Sequence, residues 1–536
     1  MRNIFKLFKV IAIAIIIGFT ITGCSAPEKI DTTPIPTSPT TPTSPTTPTS
    51  PTTPPQTPTV TGVTVNPSTA TVTKGATQTF TANVTGTNNP AQTVTWSIVQ
   101  TNKNSGTNIN ASGVLTVAAA ETLSSLTVKA TSTADTGKNG TAIVTLNETA
   151  QPVASPLYSK WPFFVGAAAP GDAFSSSNGQ YPLLGQFNVL VAENDMKPES
   201  IMPMQWQNWA SSPAYDASGA YRWTGADKLV NYAEANNTKI RGHVLFWHEQ
   251  TPGVFFKTGG PTSGYVTKDV LYTRMEQHVK TVFKKYGGKI LWWDVANECV
   301  GDDGNPRVTG GANIANSEGK SGFTAVMEAS GLTGDDRYEW IVNAFKYARK
   351  YADENGGQNV KLFLTEYNIE NNGDTNKRNG FLRLVDYLIT KGAPIDGVGI
   401  QGHTRIQSGD GYVSSLSGVI DQIATRTNPV SKKNLVVQVT ELDISLFAWN
   451  DSTLTLSASE KNTRLETQTN MYRKLFDMFA DKYSKGKFDM VLVWGIDDGH
   501  SWLNNFPKKG REDHPLLFDR QYQPKPAYNS LITGSK

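Results

Sequence analysis

Two glutamates stand at the ends of apolar runs. Glu298 closes "WWDVANE" (292–298) directly after Asn297, and Glu441 lies in "VTELD" (439–443), two residues before Asp443. A run of aromatic and branched residues that stops on an amide and a carboxylate is a strand that either meets solvent or delivers those groups to a site. Other strand-like runs finish on Glu193, Asn194 and Lys197, on His243 and Trp247, on Gln401 and His403, and on Trp494. A single glutamate of this kind is most simply a solvated strand end, but so many polar and aromatic ends gathered on one rim make a site. Two carboxylates on different strands suit cleavage of a glycosidic bond, one as acid and the other as nucleophile or base. Trp247, Trp494 and Trp502 can lie against the apolar faces of sugar rings. Glu193, Asn194, Lys197, His243 and Gln250 supply donors and acceptors for hydroxyls. His243 and His248 are five apart in one expected strand and point to opposite faces, so they do not form a metal pair, and no metal or other cofactor is expected.

The elements that must position these groups recur with a regular rhythm. Eight apolar runs follow one another at 163–169, 188–195, 240–248, 290–298, 360–368, 396–403, 435–443 and 490–498. Amphipathic stretches separate them. In "DVLYTRMEQHVKTVFKKYGG" (269–288), Val270, Leu271, Met275, Val279, Val282 and Phe283 recur at helical spacing and Gly287 ends the run. Eight strands alternating with helices predict a (β/α)8 TIM barrel, whose chemistry collects at the C-terminal ends of the strands. No Gly-rich phosphate loop follows the first strand, which speaks against a dinucleotide fold. Trp292 and Trp293 are adjacent and cannot both face the barrel interior, so one is expected under the helices.

The chain before residue 155 has a different composition. Arg2, Lys6 and Lys9 precede an apolar run, Val10 to Ile21, too short for a comfortable membrane span. It ends in "ITGC", which resembles a lipoprotein processing box; the resemblance implies a signal peptide over 1–23 and lipidation of Cys24. Residues 24–59 form a linker. From 32 to 59 every residue except Ile35 and Gln56 is Thr, Pro or Ser, a composition that buries nothing and extends by about 3.1 Å per residue, or roughly 90 Å in all. Residues 60–148 are Thr- and Val-rich, alternate at strand period, and predict a small all-β sandwich with Trp96 as its core aromatic. This stretch resembles the group 2 bacterial immunoglobulin-like domains. The net charge of +3 from 49 basic and 46 acidic residues carries no basic stripe, so a nucleic-acid partner is not expected. Cys24 and Cys299 are the only cysteines, so there is no disulfide framework.

The strings "ENDMK", "RGHVLFWHEQTP", "WWDVANE", "GVGIQGH", "VTELDI" and "VWGIDD…SW", in this order between about residues 160 and 530, resemble glycoside hydrolase family 10, chiefly endo-β-1,4-xylanases. The catalytic barrel is placed at 155–534. The resemblance implies Glu298 as general acid/base and Glu441 as nucleophile of a retaining mechanism. It implies Asn297 at the sugar 2-hydroxyl, Gln401 against Glu298, and His403 bonded to Glu441 and steadied by Asp443. Glu193, Asn194, Lys197, His243 and Gln250 would line the glycone side, with Trp247, Trp494 and Trp502 around the scissile bond. Xylan and xylo-oligosaccharides are the implied partners, for an exported monomer anchored to the membrane through Cys24. The alternatives are a β-1,4-glucanase or mannanase on the same barrel, or a catalytically silent glycan-binding surface protein. Three positions depart from the family pattern: Val254-Phe255 where a tryptophan is usual, Glu366 where aspartate is usual, and Cys299 where a small residue is usual.

Overall fold

The computed structural model describes residues 57–118, 121–147, 155–202, 220–259, 263–309 and 321–534. The signal segment 1–23, Cys24 and the linker as far as residue 56 lie outside the described residues.

The region after residue 155 is a (β/α)8 barrel of parallel strands: β1 (Phe164–Ala169), β2 (Val189–Ala192), β3 (Lys239–Gly242), β4 (Trp292–Asn297), β5 (Lys361–Glu366), β6 (Gly397–Ile400), β7 (Val436–Ser445) and β8 (Phe488–Val493). Each strand pairs with its sequence neighbour, and β1 pairs with β8 from Phe164↔Met490 to Ala167↔Val493, which closes the ring. A strand buried on both faces reads as a continuous apolar run, which is why these segments stand out in the sequence. The tryptophan pair divides as expected. Trp292 packs edge-on to Phe164, 5.2 Å away, among the residues that fill the barrel. Trp293 points outward onto Phe283 of the helix Lys268–Tyr286, at 6.0 Å. Gly242 is required beside it, because a Cβ there would run into the Trp293 ring.

The helices cover the outside of the barrel. Lys268–Tyr286 starts at Thr267, whose hydroxyl accepts from Val270 N, and ends at Gly287 with φ of 50°, a left-handed backbone that glycine takes without strain. Its buried residues Leu271, Met275, Val279, Val282 and Phe283 fall on one stripe against the strands. Ala458–Ser484 opens with a capping box between Ser457 and Glu460.

Two expected strands are interrupted. The run 240–248 splits into β3 and a short strand Phe246–Trp247 that rejoins β4 at Ala296 and Asn297. The run 396–403 breaks at Gly402, φ 84°, and resumes as His403–Arg405 along Asp443–Ser445 of β7. Both breaks fall at the C-terminal rim, where backbone leaves the ladder to aim side chains inward.

Residues 57–118 and 121–147 form a separate all-β unit with its own core, including Phe80, Leu115, Leu126, Val128 and Val144. Strand Asn139–Asn147 lies between Thr69–Thr73 (parallel) and Ser125–Ser132 (antiparallel), and Val94–Ile98 completes that sheet. Trp96 is not the central aromatic that the sequence suggests; Phe80 is fully buried instead. The reason is topological: Val94–Ile98 is an edge strand, paired only with Ser125–Ser132, so Trp96 caps the rim of the core and packs over Gly113.

Candidate active site

The rim opens into a cleft of about 960 Å³ lined by Glu193, Asn194, Lys197, His243, Trp247, Asn297, Glu298, Gln401, His403, Glu441, Trp494 and Trp502, among others. Twelve of the residues singled out in the sequence therefore share one wall system. Asp443, which bonds His403, and Gln250 are the exceptions, and Gln250 is turned away. It follows Phe246–Trp247 with φ of 45°, its carbonyl accepts from Glu199 N at 2.6 Å, and it is not among the lining residues. Its backbone braces the loop after β2.

Glu441 and Glu298 are held in different ways. Glu441 stands where the pairing of β7 with β8 skips from Val439 to Leu442, while on the other side its N–H donates to Gln401 O at 2.7 Å. His403 Nε2 donates to Glu441 Oε2 at 3.2 Å, and Nδ1 donates to Asp443 Oδ2 at 2.8 Å. Burial alone would lower the His403 pKa, but Asp443 and Glu441 outweigh it and push it up to about 10. The imidazolium is thus charged at neutral pH, between two carboxylates. Asp443 Oδ2 also accepts from Trp502 Nε1 at 2.8 Å, which fixes the indole against His403, 4.9 Å between ring centres.

Glu298 has a left-handed backbone, φ 55°, which costs a non-glycine residue about 1–2 kcal/mol. Two bonds enforce it. Glu298 N donates to Thr365 O at 2.9 Å, and Arg307 Nε donates to the Glu298 carbonyl at 2.6 Å. Its carboxylate Oε1 accepts from Gln401 Nε2 at 2.9 Å and from Asn297 Nδ2 at 3.4 Å. Gln401 Nε2 also reaches Asn297 Oδ1 at 3.3 Å, so one amide ties both groups together.

Lys197 lines the cleft with little of its surface exposed. Nζ donates to Asn194 Oδ1 at 3.0 Å and lies 5.1 Å from the Trp247 ring centre and 5.8 Å from that of Trp494. Burial lowers its pKa, opposed by the charges of Glu441, Glu193 and Glu298. Burial likewise raises the Glu193 carboxyl, against the pull of Lys197.

Several supporting groups escape a reading of strand ends. Asp294 lies inside the barrel, where Arg241 forks onto it and Thr365 Oγ1 donates to it; Arg241 Nε also donates to Gln438 at 3.0 Å. His243 Nδ1 donates to Asp294 Oδ2 at 2.8 Å, so a buried ion pair orients a cleft residue from below. Burial would raise the Asp294 carboxyl, but Arg241 and His243 prevail and hold it at about 2. The signal was present as Arg241 and Asp294 standing inside apolar runs on neighbouring strands. Arg307, Tyr367 and Glu366 form a second brace: Arg307 Nη2 donates to Tyr367 OH at 3.0 Å, and Glu366 Oε2 accepts from Val300 N at 3.0 Å. Arg307 and Tyr367 lie on loops, where no periodicity marks them, whereas Glu366 ends β5 and stands out in the sequence only as a glutamate where the family pattern has aspartate.

The remaining expectations resolve simply. His248 is buried outside this cleft, in a small cavity behind Asn297 and Glu298, and does not meet His243 there. Burial pushes the Cys299 thiol well up, so it stays protonated and is no nucleophile. Phe255 packs in the core against Phe246, Phe256 and Phe323. Two carboxylates, one bonded to an imidazolium and the other to a neutral amide, walled by aromatic faces, can divide acid–base and nucleophilic work on a sugar chain.

Comparison with known proteins agrees with this geometry. The model for glycosyl hydrolase family 10 matches residues 157–533. Endo-1,4-beta-xylanase C of Paenibacillus barcinonensis is 35% identical over 377 residues, covering 70% of this chain and 31% of that protein. Endo-1,4-beta-xylanase A of Halalkalibacterium halodurans is 33% identical over 384 residues, covering 69% of this chain and 84% of that one. The solved structure of a family 10 protein from Paenibacillus barcinonensis superposes with a TM-score of 0.58 at 33% identity, covering 69% of this chain and 94% of its own. The chain thus spans about a third of the first relative's length and most of the second's.

Proposed function

We propose, from the premise that the chain belongs to glycosyl hydrolase family 10, that it hydrolyses internal β-1,4-xylosidic bonds of xylan with retention of configuration. The observation that carries this reading is the pairing of environments. Glu441 receives a bond from the charged His403 imidazole, which holds its carboxylate in place and suits it to attack the anomeric carbon. Among the described residues the Glu298 carboxylate is bonded to the side-chain amides of Gln401 and Asn297, and it is the group we assign to give a proton to the leaving oxygen and later take one from water. The two carboxyls are expected about 5–5.5 Å apart, as a covalent glycosyl–enzyme intermediate requires. Asn297 holds the 2-hydroxyl, Lys197, Asn194, Glu193 and His243 hold the glycone sugar, and Trp247, Trp494 and Trp502 shape the walls around the bond that breaks.

Purified full-length protein incubated with xylan, carboxymethylcellulose and mannan should release mixed oligosaccharides from xylan, with fresh reducing ends first seen as the β anomer by proton NMR. Products from carboxymethylcellulose or mannan alone would overturn the substrate assignment, and an initial α anomer would overturn the mechanism.

The rest of the chain fits a tethered enzyme acting as a monomer. The domains run as a signal peptide at 1–23, a linker at 24–59, an immunoglobulin-like spacer at 60–148 and the barrel at 155–534. Cys24 carries the lipid, and the Thr/Pro/Ser stalk holds the barrel away from the membrane. A diacylglycerol with or without an N-acyl chain supplies the two or more chains that firm anchoring needs. Cys24→Ser should move the protein from the membrane fraction into the medium. If the unsubstituted protein is equally soluble there, the anchor assignment is wrong.

A further inference from the structure

We propose that the cleft carries, beyond Trp502, a subsite for an acidic sugar: a hexuronic acid borne on the polysaccharide, gripped by Arg405 and stacked on Trp449 and Phe506. The proposal rests on the reading of the cleft as a polysaccharide-cleaving site and adds a charged side group to its substrate.

Three observations meet at this end of the cleft. Trp449 is 51% exposed and Phe506 45% exposed, although both line the cleft. They touch each other edge-on at 5.3 Å, and Phe506 stacks on Trp502 at 5.2 Å and 18°. Since Trp502 packs on His403, an aromatic strip runs outward from the residues that hold Glu441. Exposed aromatic faces cost solvation unless something covers them, and a sugar ring with one apolar face is the right size.

The second observation is Arg405. Its guanidinium lies 5.0 Å from the Trp449 ring centre and lines the cleft, and among the described residues it makes no hydrogen bond or ion pair. Neighbouring arginines are committed: Arg464 Nη1 donates to Leu446 O at 2.9 Å, and Arg511 Nη2 donates to the Asp451 carbonyl. Asp443 and Asp513 are near enough to act on the Arg405 charge, but neither forms an ion pair with it. Asp443 instead bonds His403 and Trp502, and Asp513 bonds Ser445 and Leu446 N.

The third is chemical fit. A guanidinium offers a planar fork of donors that matches a carboxylate with two parallel bonds. Neutral pentose or hexose units bring no such partner. A hexuronic acid brings both a carboxylate for Arg405 and a ring face for Trp449 and Phe506.

The test compares xylan bearing hexuronic acid side groups with the same polymer after its carboxyls are reduced to alcohols. The unsubstituted enzyme should show about tenfold higher kcat/KM on the charged form, chiefly through KM, and the ratio should shrink in high salt. Arg405→Gln should bring the ratio near one. Arg405→Lys keeps the charge without the fork and should leave a ratio of about threefold. A ratio of one for the unsubstituted enzyme, or an unchanged ratio in a folded Arg405→Gln, overturns the subsite. If neither polymer is cut, the hydrolase reading fails, and calorimetric titration with charged and carboxyl-reduced oligosaccharides then judges the subsite alone by the same ratio in Kd.

Discussion

Glu441→Ala is expected to lower xylan turnover by roughly 10⁴–10⁶-fold, since it removes the carboxylate to which the proposed mechanism assigns the attack on the anomeric carbon. Glu298→Ala should behave differently. Substrates with good leaving groups need no proton in the first step, so an aryl glycoside should still form the covalent intermediate and then stall at its hydrolysis. Azide separates the two roles. In Glu298→Ala it replaces the activated water and should give the β-glycosyl azide with recovered turnover. In Glu441→Ala it occupies the vacated nucleophile's place and should give the α product. Proton NMR of the azides decides the assignment, and opposite anomers from the two variants would mean that the two glutamates have been given each other's roles.

The second large effect concerns stability. Asp294→Ala should cost about 3–5 kcal/mol, because it leaves the Arg241 charge uncompensated inside the barrel. Arg241 and Asp294 are both fully buried, so solvent screens little of this. Since Asp294 is held at about 2, its contribution is fully present above the ordinary aspartate range and is lost as pH falls toward 2. Denaturant titration at pH 7 and at pH 3 measures both: the gap between parent and variant should narrow at the lower pH. The double change Arg241→Met with Asp294→Leu should recover part of the loss, since it removes both charges. A loss below about 1 kcal/mol for Asp294→Ala at pH 7 would mean that the pair is solvated or replaced. His243 is oriented by the same aspartate, so KM should rise in every variant that removes it.

Strand positions are legible in this chain because parallel strands covered on both faces admit few polar residues. Where a polar residue does interrupt the run it is informative, as with Asp294 in β4 and Arg241 in β3. The pairing of those two needed the register Arg241↔Trp292, which no local pattern encodes. Rim residues at strand ends, such as Glu441 and His403, are legible because barrel topology says where they point. Gln250 misleads by proximity: three residues after Trp247, it has already turned away and binds Glu199 N through its backbone. Trp96 misleads by size, since an edge strand exposes a large aromatic that a central strand would bury. Arg405 and Trp449 were invisible for another reason. Their meeting joins the end of the short strand His403–Arg405 to the loop that follows β7, and neither has the length to show a period.

The pairing of β1 with β8 has a consequence for how the molecule is made. Residues near the start and the end of the catalytic region must find each other before the ring exists, and the indole of Trp161 donates to Leu531 O at 3.1 Å across the same seam. Contacts of such sequence separation form late and slowly. Until the last strand is synthesised, the first one presents a bare parallel edge, long and apolar, to any other chain nearby. The barrel therefore stays open until β8 has been made and can pair with β1, and the helix Pro526–Leu531, which carries the Trp161 contact, follows it in the chain.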